Sequence, residues 1–205
     1  MANVLHSALT TTDLHEPKGI DAAGSDKVYV SDGVGSGSWK SIYTQGFEDW
    51  NHAGGSQALT AGVPDKMLND GAGSFTNETY RLPGHTAIWD TASNHFDFAG
   101  AGLVLGDTVD MRLDFSVTTS GANDDIAILL NMAVGSGDPY TLDVAYREWR
   151  NAGTYDYTAW YSVYMGDTNT LNFPAEVMLL ASTGSDTAQV NGWYVRTTPR
   201  QPILV

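Results

Sequence analysis

A chain of 205 residues has room for one domain of ordinary size plus an extension, and a domain of roughly 150 residues buries about 70% of the surface its unfolded chain exposes. Its 24 acidic residues against 10 basic ones give a formal charge of -14, which repels phosphate backbones and anionic head groups, so no nucleic acid partner is expected. The absence of cysteine excludes a disulfide framework, a thiolate metal site and a thiol nucleophile.

The opening "MANVLHSALTTTDLHEPKG" has no charged segment leading into an apolar one, so a classical export signal is not expected. No run approaches the roughly 18 apolar residues of a membrane span, and no membrane insertion is expected. Residues 1–45 are dominated by Gly, Ser, Thr, Asp and Ala, with one short alternating segment at Lys27, Val28, Tyr29, Val30 and Ser31. Such a segment buries too little apolar surface to offset its own ordering entropy, which predicts an extended arm that orders against something else. Its five acidic and three basic residues leave nineteen acidic and seven basic residues beyond position 45, so the acidity belongs to the main domain, 46–205.

Beyond Gly46 the pattern changes to short β-like runs separated by turn residues. Phe47, Trp50 and His52 follow the arm and are expected to pack onto the first sheet, and "QALT", "KMLND", "TAIWD" and "HFDF" read as short strands. "TVDMRLDFSVTT" (108–119) alternates apolar Val109, Met111, Leu113, Phe115 and Val117 with polar Asp110, Arg112, Asp114 and Ser116, a period of two with one wet face. "DDIAILLNMAV" (124–134) is apolar almost throughout; a helix competes, but Gly121 and Gly135 on either side favour a buried strand. "YTLDVAYREW", "TYDYTAWYSVYM", "AEVMLLAS" and "AQVNGWYVRT" continue in the same way, divided by turns such as "GSGDP" and "TGSD". The fold class is all-β, an antiparallel sandwich of about eight strands with an extended N-terminal arm. Pro199 and Pro202 deter a central strand in the tail, whose apolar end is expected to pack on the domain or on a neighbouring subunit.

The order "IWDTASNHFDF", "LGDTVDMRLDFSV", "NDDIAILLNM", "YREW", "GTYDYTAWYSVYMGD", "PAEVMLLAS" and "AQVNGWYVRT" resembles the jelly-roll, tumour-necrosis-factor-like domain of tailed-bacteriophage virion proteins. "DLHEPKGI" followed by "VYVSDGVGSGSWK" resembles the leader of phage head-fibre and capsid decoration (cement) proteins. The resemblance implies a homotrimer on the outer capsid surface of a virion, made in the cytoplasm of a bacterial host. It further implies docking to the major capsid protein through His15, Glu16, Pro17, Lys18 and Gly19, with Tyr29, Asp32, Gly33 and Trp39 in the element behind them. The physics of those residues is compatible. Pro17 biases Glu16 to an extended conformation, Gly33, Gly35 and Gly37 permit positive φ or close backbone approach, and Trp39 is the kind of aromatic that anchors in a partner's pocket. A tail-fibre or baseplate protein that recognises host surface glycan is the alternative reading.

Enzymatic chemistry finds little footing. His6, His15, His52, His85 and His95 show no metal-ligand spacing, and neither a nucleophile elbow, a Walker loop nor a dinucleotide fingerprint occurs, so no catalysis and no cofactor are expected. Asn123, Asp124 and Asp125 in "GANDDI" carry oxygens suited to calcium but lack the EF-hand pattern, and a solvated hairpin turn is expected there. In 154–165 one face carries Tyr155, Tyr157, Ala159, Tyr161 and Val163, and the other Asp156, Thr158, Trp160, Ser162 and Tyr164. With the first face in the core, Trp160 and Tyr164 are presented outward, either at a trimer interface or to stack on a sugar ring.

Overall fold

The structure, a computed structural model, describes residues 27–31, 33 and 37–205. Its elements in chain order are β1 (Lys27–Ser31), β2 (Gly37–Tyr43), β3 (Gly46–Asn51), β4 (Gln57–Ala58), β5 (Asp65–Lys66), β6 (Trp89–Asp90) and β7 (His95–Phe96). There follow β8 (Thr108–Thr119), β9 (Asp124–Met132), β10 (Tyr140–Trp149), β11 (Gly153–Tyr164), α1 (Thr168–Asn172), β12 (Glu176–Ala181), β13 (Thr187–Thr198) and β14 (Ile203–Leu204). Contacts divide the chain into Met1–Tyr43 with Ile203–Val205, and Thr44–Pro202.

In the larger unit one sheet has the order β11-β8-β13-β3, with β4 also on β13, and a second has the order β10-β9-β12-β5. All these pairings are antiparallel. Counting β3, β5, β8, β9, β10, β11, β12 and β13 as strands one to eight, the first sheet runs 6-3-8-1 and the second 5-4-7-2. That double Greek-key order is a jelly roll. It is the antiparallel sandwich expected from the turn spacing.

The core lies between the two sheets. Val109, Met111, Leu113, Phe115 and Val117 of β8, with Trp193 and Val195 of β13, meet Ile126, Ile128, Leu130 and Met132 of β9 and Val177 and Leu179 of β12 in one buried cluster. β8 follows its period of two without a break, apolar side buried. β9 is a strand as expected, and its run is nearly continuous because Leu129, which alternates away from the central cluster, is also buried. Phe47 and Trp50 lie in β3, a full partner of β13, with its other edge covered by the backbone pairing of Phe47 with Tyr80 and Asp49 with Asn77. Blocking that edge prevents further strand addition.

β13 changes register between Val190 and Gly192. Ala188 and Val190 are buried before the irregularity, and Trp193 and Val195 after it. One extra residue, the exposed Asn191, moves the inward set from even to odd positions. Glycine is favoured at 192, since a Cβ there would stand 2.8 Å from Asn51 Nδ2 and 3.0 Å from the Trp50 carbonyl oxygen.

The smaller unit is a three-stranded sheet in the order β1-β2-β14. Tyr29 opposes Trp39 across the hairpin, with ring centroids 5.5 Å apart and planes at 68°. Gly33 has φ +80°, the left-handed conformation for which glycine is suited. The tail departs from expectation: β13 stops at Thr198, ahead of Pro199, and the apolar end then pairs Ile203 with Tyr43 and Leu204 with Ile42 of β2. Val205 and Ser41 exchange both backbone hydrogen bonds, at 2.8 and 3.1 Å. Pro199 cannot continue β13, and the edge of β2 gives the tail's backbone groups their partners.

Candidate functional site

The outer face of the β11-β8-β13-β3 sheet carries a dense arrangement of polar and aromatic side chains. Strand register lays them in rows. Ser162, Asp110, Arg196 and Phe47 are successive cross-strand neighbours, and so are Trp160, Arg112, Tyr194 and Asp49 one step along. Thr158, Asp114, Gly192 and Asn51 form the third row, where glycine leaves a gap.

Hydrogen bonds run both within and between these rows. Asp110 accepts from Arg196 Nε at 2.9 Å and Nη2 at 2.5 Å, and Ser162 Oγ donates to its other oxygen. Asp114 accepts from Arg112 Nε and from Thr158 Oγ1, both at 2.8 Å. Asn51 Nδ2 donates to Asp49 at 2.9 Å. The Arg112 guanidinium carbon lies 5.8 Å from the Trp160 ring centroid and 5.5 Å from that of Tyr194, within cation–π range of both. Trp160 and Tyr194 meet at 67° with centroids 6.4 Å apart, and Phe47 stacks on the far side of Tyr194 at 6.0 Å. Asp110, Trp160, Tyr161, Ser162, Tyr194 and Arg196 line an open depression of about 410 Å³.

The electrostatics fit this bonding. Partial burial raises the Asp110 carboxyl, but hydrogen bonds from Ser162 and Arg196 and the Arg196 charge outweigh it, leaving Asp110 below its ordinary value. Asp49 is raised, chiefly by burial and further by the Asp114 charge, against the pull of Arg112 and Asn51. Behind the face, inward-pointing Glu48 is also raised by burial. Trp50 Nε1 donates to it at 2.9 Å and the Ile88 amide at 3.1 Å, with Arg81 Nε 3.8 Å away.

Trp160 and Tyr164 are presented outward as their strand parity requires, 61% and 63% exposed. Trp160 belongs to the aromatic cluster. Tyr164, at the end of β11 opposite Thr108, does not line the depression. Asp110 and Asp114 do alternate outward with Arg112, but they are bonded members of the rows and not a plain solvated face. Tyr194 and Arg196 were not singled out from sequence: in "NGWYVR" nothing local says which of Trp193 and Tyr194 turns outward.

Of the leader residues, His15, Glu16, Pro17, Lys18, Gly19 and Asp32 lie outside the described residues. Tyr29 and Trp39 are brought together across the hairpin, with Gly33 in its turn. The "GANDDI" turn is less solvated than expected. Asp124 is buried and accepts from the Gly121 amide at 2.6 Å and Thr183 Oγ1 at 2.9 Å, while Asp125 accepts from the Tyr146 hydroxyl at 2.8 Å. The Asp124 carboxylate tethers the β8–β9 turn to the loop after β12. Among the described residues no group of three or more His, Cys, Asp or Glu is placed to hold a metal ion, and no helix is long and apolar enough to cross a membrane.

No protein-family model matches the chain, and no curated protein matches it. Among solved structures, it is similar to the CBM22-1 xylan-binding domain of Xyn10C from Paenibacillus barcinonensis, at 11% identity and a TM-score of 0.37, over 78% of this chain and 96% of that one. It is also similar to the PRD1 vertex protein P5, at 10% identity and a TM-score of 0.30, over 77% of this chain and 97% of that one. Both likenesses are remote, and the jelly-roll assignment rests on the chain's own strand order and pairing.

Proposed function

We propose that the protein is a structural component of a tailed-phage virion, a capsid decoration or head-fibre protein that docks on the major capsid protein and acts without catalysis. The observation that carries this reading is the separate unit formed by the leader hairpin and the tail strand, in which the resemblance-bearing residues Tyr29, Gly33 and Trp39 are brought together. Among the described residues β1 is paired on one side only, so its other edge offers backbone groups for strand addition by a coat subunit. In this reading His15 to Gly19 supply the contact ahead of the hairpin. The chain works as a homotrimer on the outer capsid surface after synthesis in the host cytoplasm. Three docking units per trimer raise avidity about 10²-fold or more over one, and selective binding to the assembled lattice stabilises the shell.

The test is co-sedimentation of the full chain, and of a variant with residues 15–19 replaced by alanine, with capsid shells and separately with tails. Binding to shells at the stoichiometry of lattice trimer positions, lost in the variant, is the expected result. Binding to tails alone would assign the protein to receptor recognition instead.

A further inference from the structure

The docking reading leaves the outer face of the β11-β8-β13-β3 sheet without a role, yet it is the most built surface among the described residues. From its geometry we propose a carbohydrate-binding site: the depression between Trp160 and Tyr194 takes an uncharged pyranose unit of a glycan, stacked on the Trp160 ring and hydrogen-bonded to the Asp110, Arg196 and Ser162 row. The site does not depend on whether the protein is attached to a capsid or a tail.

Three observations select this occupant. The first is shape. A pyranose has an apolar C–H face and a rim of hydroxyls, and it needs an aromatic plane beside closely set donors and acceptors. Here the exposed indole stands at 67° to the Tyr194 ring, and a carboxylate, a guanidinium and a hydroxyl lie one row away on the same three strands.

The second is charge. The face holds Arg112 and Arg196 against Asp110 and Asp114, each arginine hydrogen-bonded to one aspartate. The cations are thus compensated inside the face, and Asp49 beside them adds negative charge. Sialic acids, uronates and phosphorylated sugars find no uncompensated cation there. The polar groups nevertheless retain capacity. Arg112 reaches Asp114 through Nε, so its terminal amino groups remain as donors, and the Asp110 and Asp114 oxygens have further lone pairs.

The third is preorganisation and size. Trp160 is flanked by Arg112, which is itself tied to Asp114, and Tyr194 is braced by Phe47, so the aromatic walls are held before any ligand arrives. Prepaying that ordering favours small, weakly held ligands. A second copy of this chain is a poorer fit. A stable interface covers about 800 Å² per partner around an apolar centre, whereas this depression is lined on one side by polar Asp110, Ser162 and Arg196.

The experiment uses the full-length protein and a panel of methyl glycosides and short oligosaccharides of glucose, galactose, mannose and N-acetylglucosamine, with uronate and sialylated counterparts, titrated calorimetrically. At least one neutral probe should bind saturably, and Trp160→Ala should weaken it about tenfold or more. Tyr164→Ala, on the same strand but outside the depression, should retain the affinity. Melting temperature and sedimentation equilibrium are measured on both variants. The proposal is overturned if no neutral probe binds at about 10 mM, if uronate or sialylated probes bind better than neutral ones, or if Trp160→Ala changes the oligomeric mass. The variant with residues 15–19 replaced by alanine should lose shell docking and keep glycan binding, which separates this inference from the docking reading.

Discussion

The inner and outer faces of the β11-β8-β13-β3 sheet use the same kinds of residue for opposite ends. Trp193 points inward and is fully buried, edge-on to Phe115 at 5.3 Å and to Trp89 at 5.8 Å. Tyr194, the next residue, points outward between Phe47 and Trp160 with Arg112 against its ring. On β3, Glu48 points into the protein and Asp49 out of it. An aromatic or acidic residue here becomes core or surface machinery according to which side of the sheet it occupies, and on β13 that side is set by one bulge.

The sharpest test of this contrast is a pair of truncations. Trp193→Ala removes a ring packed on every side and should cost about 3–5 kcal/mol in urea unfolding. Trp160→Ala, at an exposed position, should stay within about 1 kcal/mol of the parent. Equal losses in the two variants would mean that Trp160 is also structural.

A smaller effect is expected from Gly192→Val at the bulge. The added carbons would press on the Trp50 carbonyl and the Asn51 side chain, and overpacking of this kind costs about 1–3 kcal/mol. A variant as stable as the parent would show that the register change tolerates a side chain, and the bulge would no longer account for glycine there.

The mildest test compares acid profiles. Glu48 is raised from 4.5 in the fold, so the folded state holds its proton more tightly than the unfolded chain, and stability declines as pH rises from 4.5 through the folded value. Glu48→Gln keeps an acceptor for Trp50 and Ile88 and should flatten that decline. Asp110 is lowered from 3.8, so its contribution is present above 3.8 and lost as pH falls through the folded value. Asp110→Asn should therefore lower stability at neutral pH, by no more than about 1 kcal/mol for a partly exposed pair, and remove part of the loss in acid. Melting temperature against pH should shift in opposite senses for the two variants; parallel shifts would break the inside–outside distinction.

Much of the architecture was legible in the sequence because the signals are local. Alternation in 108–119 and 154–165 states which residues share a face, whatever the strand pairs with, so the exposure of Trp160 and Tyr164 followed directly. Glycine-bounded runs and the prolines after Thr198 marked where strands stop. The acidic pattern around Asp110 was read correctly as outward but not as organised, because its partners Ser162 and Arg196 lie 52 and 86 positions away.

What the sequence alone determined, then, is an all-β sandwich with a compositionally distinct N-terminal segment and one tyrosine-rich strand with a wet aromatic side. Only the tertiary structure decided that β13 lies between β8 and β3, that its bulge turns Tyr194 and Arg196 outward beside Trp160 and Asp110, and that the tail closes the leader hairpin through β2. The physical reason is that alternation depends on the backbone of a single strand, whereas sheet order and bulges depend on hydrogen bonds and packing between segments far apart in the chain.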